Sequence, residues 1–243
     1  MAGRELPPTS PFAADDGSAD PAVAAALTAF ADGTSSLADV VAALAGTRVL
    51  VPVLAELEVE GAVVHDGHAH TVDKEASAGI VALQAPDGRH ALPVFSSVAT
   101  MAAWRRDARP VPTDVARAAL SAVQEGWEVV VVDAGGPVTA VLPRPAVWAL
   151  AKQEAWCPAV RDGVVDPEVA AAVADAVGEV DVVLAVQVRP GRRAELAVVL
   201  TLADGLDRAR LDQAVTRVNG ALAANAVVAE RVDSLELRLR RAS

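Results

Sequence analysis

Cysteine is almost missing from this chain: Cys157 is the only one in 243 residues. No intrachain disulfide can form, which points to a reducing compartment. Tyrosine is absent and aromatic residues make up only 3%. The 53% of hydrophobic residues are mostly Ala and Val, so the core must be built from small, β-branched and Leu side chains. Positive charge is in deficit as well, with 21 Lys and Arg against 32 Asp and Glu and a formal net charge of −11. Such a field repels phosphate backbones, and the short basic stretches "RRDAR" (Arg105 to Arg109) and "LRLRR" (Leu237 to Arg241) are interrupted by acidic or apolar residues. Nucleic acid is excluded as the default partner. Apolar runs such as Val129 to Val132 fall far short of the roughly 18 residues of a membrane span, and "MAGRELPPTSPF" has no signal-peptide core. A soluble cytoplasmic protein is expected, with no membrane contact.

Catalytic patterns are also scarce. Neither a nucleophile elbow nor a glycine-rich phosphate loop occurs, and Gly135-Gly136 joins two strands instead of opening a helix. Cys157 precedes Pro158 and has only Lys152 and Arg161 as nearby cations, too little to mark a reactive thiolate. His65, His68 and His70 in "HDGHAH" come nearest to a metal cluster. They lie across a tight turn, not on one rigid helix face, and the exposed tip of a hairpin accounts for their polarity. Asp20, Asp166 and Asp207 are explained as helix caps and Asp133 as the end of a strand. No catalytic residue, cofactor site or metal site is expected.

What is present is punctuation. Asp20-Pro21 and Asp166-Pro167 each combine an N-cap with Pro at the first helical position, while Ser36, Ser96-Ser97, Thr113 and Asp207 cap further helices. Asp66-Gly67, Asp87-Gly88 and Pro190-Gly191 are turn pairs between β-branched runs. Pro52 places "RVLVPVLAEL" at a sheet edge or bulge. Trp127 to Val132 is expected as a central strand and "SLELRLR" as a strand with one solvated face. Hairpins with helices between them give an α+β fold of mostly antiparallel sheets with flanking helices, in two lobes. The expected organisation is a disordered tail over 1–18, an α+β domain over 19–152, a linker over 153–165 and a smaller α+β domain over 166–243.

With so few aromatics, the tryptophans are either core plugs or contact anchors. Trp127 is expected in the core, whereas Trp104 and Trp148 are balanced between the two roles. "PRPAVW", Pro143 to Trp148, joins a guanidinium to a rigid turn and an indole. Arg144, Trp148 and Trp104 are therefore the candidate contact surface.

The collinear segments "APDGRHALPVFSSVATMAAW", "ARPVP", "GPVTAVLPRPAVWALA", "DPEVAAAV", "PGRRAELAVVLTLADGLDRARLD" and "VVAERVDSLELRL" resemble the SseB family of actinobacterial proteins, named for enhanced serine sensitivity. The resemblance covers nearly the whole chain after the tail and implies an SseB N-terminal domain followed by a smaller C-terminal one. It brings no reaction, cofactor or catalytic residue with it, and "HDGHAH" departs from the family pattern. The expected function is that of a non-catalytic protein-binding or regulatory module with an unidentified protein partner, homo-oligomerisation being open. The alternative is a small-molecule enzyme or metabolite sensor linked to amino-acid metabolism, with a pocket between the halves.

Overall fold

The computed structural model describes residues 12–54, 82–84 and 88–242. The turn at Asp66-Gly67, the three clustered histidines, Asp87 and residues 1–11 of the expected tail lie outside the described residues. The chain divides into two compact units, Met1–Ala155 and Trp156–Ser243, each α+β with mostly antiparallel sheets.

The first unit opens with two short helices. In α1 (Pro21–Ala31) the Asp20 carboxylate accepts the Ala22 N–H at 2.8 Å and Pro21 occupies the first turn. In α2 (Leu37–Leu44) Ser36 and Asp39 form a capping box, and Gly46 beyond its end takes a left-handed φ of +74°. Strand β1 (Arg48–Val53) follows, then β2 (Leu83–Gln84), β3 (His90–Val94), α3 (Val98–Trp104), β4 (Arg109–Asp114), α4 (Val115–Gln124), β5 (Val129–Val132), β6 (Ala140–Leu142) and α5 (Arg144–Lys152). The sheet order is β2-β3-β5-β6, with β3 and β5 parallel and the outer strands antiparallel to them. β1 and β4 form a separate antiparallel pair, tied to this sheet through reciprocal backbone bonds of 2.8 and 2.9 Å between Leu50 and Phe95.

Strand β4 corrects the expectation that one helix follows another after Phe95. Pro110 and Pro112 argue against a strand from sequence, because each lacks a donor. The register removes the objection. Leu50 spends its backbone groups on Phe95, so the pair Leu50–Pro112 is not hydrogen-bonded, and neither is Pro52–Pro110 two residues along. All three prolines thus fall where no ladder donor is needed. The cap of α4 is accordingly Asp114, whose carboxylate accepts the Ala116 N–H at 2.9 Å, and not Thr113, whose hydroxyl donates to the Val111 carbonyl.

Within the segment expected as a tail, Asp15, Gly17 and Ser18 make contacts with the first unit. Arg48 on β1 donates to both carboxylate oxygens of Asp15, to the Ser18 carbonyl at 2.7 Å and to the Ser96 carbonyl at 2.7 Å. The Val98 N–H donates to the Gly17 carbonyl at 2.9 Å, and a Cβ on Gly17 would press into the Val98 side chain. Composition alone hides this, because the anchoring partners lie 30 to 48 residues away in sequence for the Arg48 bonds. Arg48→Ala is expected to lower stability by about 1–2 kcal/mol, the scale of a half-buried charged hydrogen-bond network. The Arg48 hydrogen bond holds the Asp15 carboxyl below its ordinary value of 3.8. That stabilisation is complete above the ordinary value and disappears as pH falls through the lower folded-state value. Urea unfolding should therefore show a smaller difference between wild type and Arg48→Ala near pH 2.5 than near pH 7; an equal difference at both would contradict the pairing.

In the second unit the segment expected as an irregular linker contains a short hairpin, β7 (Val160–Arg161) and β8 (Val164–Val165), with Ala159 buried in that unit's core. Strands of two residues leave no periodicity to read. Then come α6 (Pro167–Gly178), β9 (Val183–Pro190), β10 (Leu196–Leu202), α7 (Arg208–Ala224), α8 (Ala226–Arg231) and β11 (Leu235–Arg241). Asp166 and Asp207 cap α6 and α7 as expected. The β9–β10 turn needs glycine at 191, where a Cβ would run into the Ala194 carbonyl. The sheet order is β11-β10-β9, and β11 runs parallel to β10. Leu196, Val198 and Leu200 on one face of β10 pack with Val169, Val173 and Val177 of α6 and Val218 and Leu222 of α7.

Candidate functional site

Helix α5 carries two of the three candidate contact residues. Pro145 in its first turn fixes the backbone direction, and Pro145, Ala146, Val147 and Leu150 bury one side of the helix. Arg144 and Trp148, four residues apart, share the other side. The Trp148 indole is 41% exposed. An aromatic of this size held open on an otherwise anchored helix is suited to contact.

Trp104 has a different environment. Its ring lies 5.2 Å from that of Phe95 at an interplanar angle of 33°, against the cluster of Leu50, Phe95, Met101 and Ala134, with the Arg105 guanidinium 6.0 Å from its centroid. It caps a core cluster. Trp127 departs from the expectation of burial: it stands outside the buried core. The strand begins two residues later, at Val129, and Trp127 sits in the connection after Gly126 with its N–H bonded to the Ala122 carbonyl at 2.8 Å. Together with Val51, Leu92, Val111, Arg117 and Gln124 it lines an open groove of about 840 Å³ beside α4.

The polar feature that sequence reading underrated is Asp133. It is only 3% exposed and takes a left-handed φ of +51°. It follows β5 directly, so its carboxylate lies at the carboxyl ends of the parallel pair β3 and β5, where open α/β sheets commonly bind ligands. Here three fixed donors hold that carboxylate. One oxygen accepts the Ser96 N–H and the Thr100 hydroxyl, both at 2.8 Å, and the other accepts the Ser96 hydroxyl at 2.7 Å. The Asp133 N–H donates to the Val94 carbonyl, and its own carbonyl accepts the Thr139 hydroxyl. Ser97 alone caps α3, in a capping box with Thr100, while Ser96 serves Asp133; the shared capping role expected for the serine pair is corrected to that extent. The arrangement locks the β3–α3 junction to the end of β5.

In the second unit the Cys157 thiol side chain is exposed, and the Cys157 carbonyl accepts a 3.4 Å bond from Arg231. Arg231 also pairs with Asp166 at 3.0 Å and holds that carboxyl below its ordinary value. These bonds clamp α8 to the start of α6. No helix among the described residues is long and apolar enough to cross a membrane.

The family model for the SseB protein N-terminal domain matches residues 23–149, from α1 through most of α5. The chain belongs to the SseB family. The match includes β3, the Ser96–Asp133 staple and the Arg144–Trp148 surface. No curated protein and no solved structure matches the chain.

Proposed function

We propose that this SseB-family protein is a cytoplasmic, non-catalytic protein-binding or regulatory module, with an SseB domain over 19–152 and a smaller domain over 166–243. The observation that carries this reading is the exposed Trp148 indole beside Arg144 on a helix whose opposite side is buried. Tryptophan and arginine are the residue types that dominate protein contacts, and a preorganised helix spares the ordering cost of binding. The engagement of Asp133 supports the same reading, because this carboxylate, the most buried among the described residues of the first unit, spends three bonds on fixed donors of the scaffold.

Trp148→Ala is expected to leave the circular dichroism spectrum and melting temperature within about 2 °C of wild type, since exposed changes cost little, and Arg144→Ala, at a half-buried position, to stay folded with a somewhat larger loss. Each should deplete the same protein from affinity capture out of the native host. Retention of every captured protein by both variants would contradict the reading, and unfolding of either would place that residue in the core.

A second reading is favoured by the groove lined by Trp127. Its volume of about 840 Å³ lies within the range of small-molecule sites, and Arg117 and Asp114 supply charge at its wall. Under that reading the chain is a metabolite sensor or enzyme linked to amino-acid metabolism.

A further inference from the structure

Charge is unevenly divided along this acidic chain. Residues 1–155 hold 10 basic and 19 acidic side chains, whereas residues 156–243 hold 11 basic and 13 acidic ones, and all 11 are arginine. The sheet of the second unit sorts several of them. Leu196, Val198 and Leu200 face the helices, so the alternate positions Ala197, Val199 and Thr201 face away. The registers place Arg189, Gln187 and Ala185 of β9 on one flank of that outer row and Glu236, Arg238 and Arg240 of β11 on the other. Ala185, Gln187, Arg189, Arg238 and Arg240 are exposed, so this face is open to solvent along both flanks. Ala197 and Val199 are nonetheless only 2% and 4% exposed, as expected where long arginine and glutamine stems lie over small side chains.

The one carboxylate of the face is already engaged. Glu236 accepts the Arg192 N–H at 2.9 Å and the Arg238 guanidinium at 2.7 Å, and these bonds hold it below its ordinary value, the Arg192 N–H contributing most. Arg189 donates to Gln187 and Arg240 meets no carboxylate among the described residues. The face therefore has a surplus of guanidinium groups suited to bidentate recognition of carboxylates. Its β11 side is also a sheet edge: no strand pairs with it among the described residues. The intervening position Leu239 is 42% exposed, an apolar side chain at the same edge. β9 is the poorer edge, with a register shift near its start and Pro190 at its end.

We infer that β11 is a docking edge for an extended acidic segment of another protein, which adds as a fourth strand with Asp or Glu at alternate positions opposite Arg238 and Arg240 and apolar residues between them against Leu239. Cross-strand partners stand about 5 Å apart, so an alternating acidic and apolar strand matches both faces of β11 at once. A second copy of β11 paired antiparallel about Leu239 would set Arg238 against Arg240, whereas one paired about Leu237 would leave Arg240 opposite Ser234 with no carboxylate, so an acidic strand of another protein satisfies both arginines better. The inference concerns the second unit and is independent of the α5 surface.

The test uses the full chain and a capped octapeptide of alternating Glu and Val, titrated calorimetrically. Binding is expected, weakened about tenfold or more by Arg238→Glu combined with Arg240→Glu and strongly weakened between about 50 and 300 mM salt. The double variant gives up the exposed Arg238–Glu236 pair, so it should stay folded and melt only slightly below wild type; Leu239→Asp provides a second variant that removes the apolar half of the match. Hydrogen exchange of the β11 amides should slow when the peptide binds. Absence of peptide binding, equal binding of a Gln-Val peptide, unchanged β11 exchange, tighter binding of an oligothymidylate, or self-association through β11 would each overturn the inference.

Discussion

Asp133→Ala is expected to destabilise the first unit by about 4 kcal/mol, among the larger single-residue effects in this molecule. Truncation removes three hydrogen bonds to a buried carboxylate and strands the Ser96 N–H and the Ser96 hydroxyl, while the Thr100 hydroxyl can turn to the Ser97 carbonyl 3.0 Å away. Bonds to charged acceptors contribute about 1.5–3 kcal/mol each, and they do not add in full because they share one group. Alanine must also take up the left-handed φ of +51°, at a further cost of about 1 kcal/mol. Asp133→Asn separates these terms: asparagine tolerates the backbone, but its amide NH₂ faces donors, so an effect of about half the size is expected. Urea unfolding of both variants, followed by tryptophan fluorescence, measures the difference. A loss below about 1 kcal/mol for Asp133→Ala would show that the carboxylate is held against its own stability, as functional groups often are.

The second large effect is expected at Phe95. Its side chain is fully buried, its backbone joins β1 to the end of β3, and its ring rests on Trp104 within the cluster of Leu50, Met101 and Ala134. Removing a buried Phe side chain costs about 3–5 kcal/mol, depending on how far the site collapses. Collapse should be poor here. The described neighbours are attached to paired strands or to the short, capped α3, and the chain has only 3 Phe and 4 Trp to spread into a void. Phe95→Ala is therefore expected near the upper end of that range and Phe95→Leu near 1–1.5 kcal/mol. Equilibrium denaturation with an unchanged slope would report the loss; a value below about 2 kcal/mol for the alanine variant would mean that the cluster repacks. Because Ser96 follows Phe95, the Phe95 and Asp133 variants should combine to less than the sum of their separate effects.

Helix starts were legible because their signal is local. Asp20-Pro21, Asp166-Pro167 and Asp207 each hold their own partners within three residues, and the caps form as their sequences imply. The α+β class followed from the alternation of such helices with turn-bounded strands. Features that depend on distant partners were not legible. Pro110 and Pro112 fit a strand only because Leu50 faces Phe95, a relation no local window contains. Asp133 reads as a strand end until Ser96 and Thr100 reach it from more than thirty residues away. The same holds for Asp15 with Arg48, and for β11, whose parallel pairing with β10 depends on the path of α7 and α8. For the candidate surface, the α5 pair Arg144 and Trp148 could be read from a proline-started helix with four-residue spacing. The sequence places Trp127 in the core and balances Trp104 between core and contact, yet Trp104 caps a core cluster and Trp127 lines a groove. A tryptophan at an element end looks the same whether the next turn covers it or leaves it open.

The most direct test of the binding-module account is a thermal-shift screen of the purified full chain against the free amino acids and common nucleotides at millimolar concentration. Protein contact through α5 predicts no shift beyond about 1 °C for any of them. Stabilisation of several degrees by one metabolite, equivalent to free ligand far above its dissociation constant, and lost on Trp127→Ala or Arg117→Ala, would contradict the account and establish the groove as a small-molecule site.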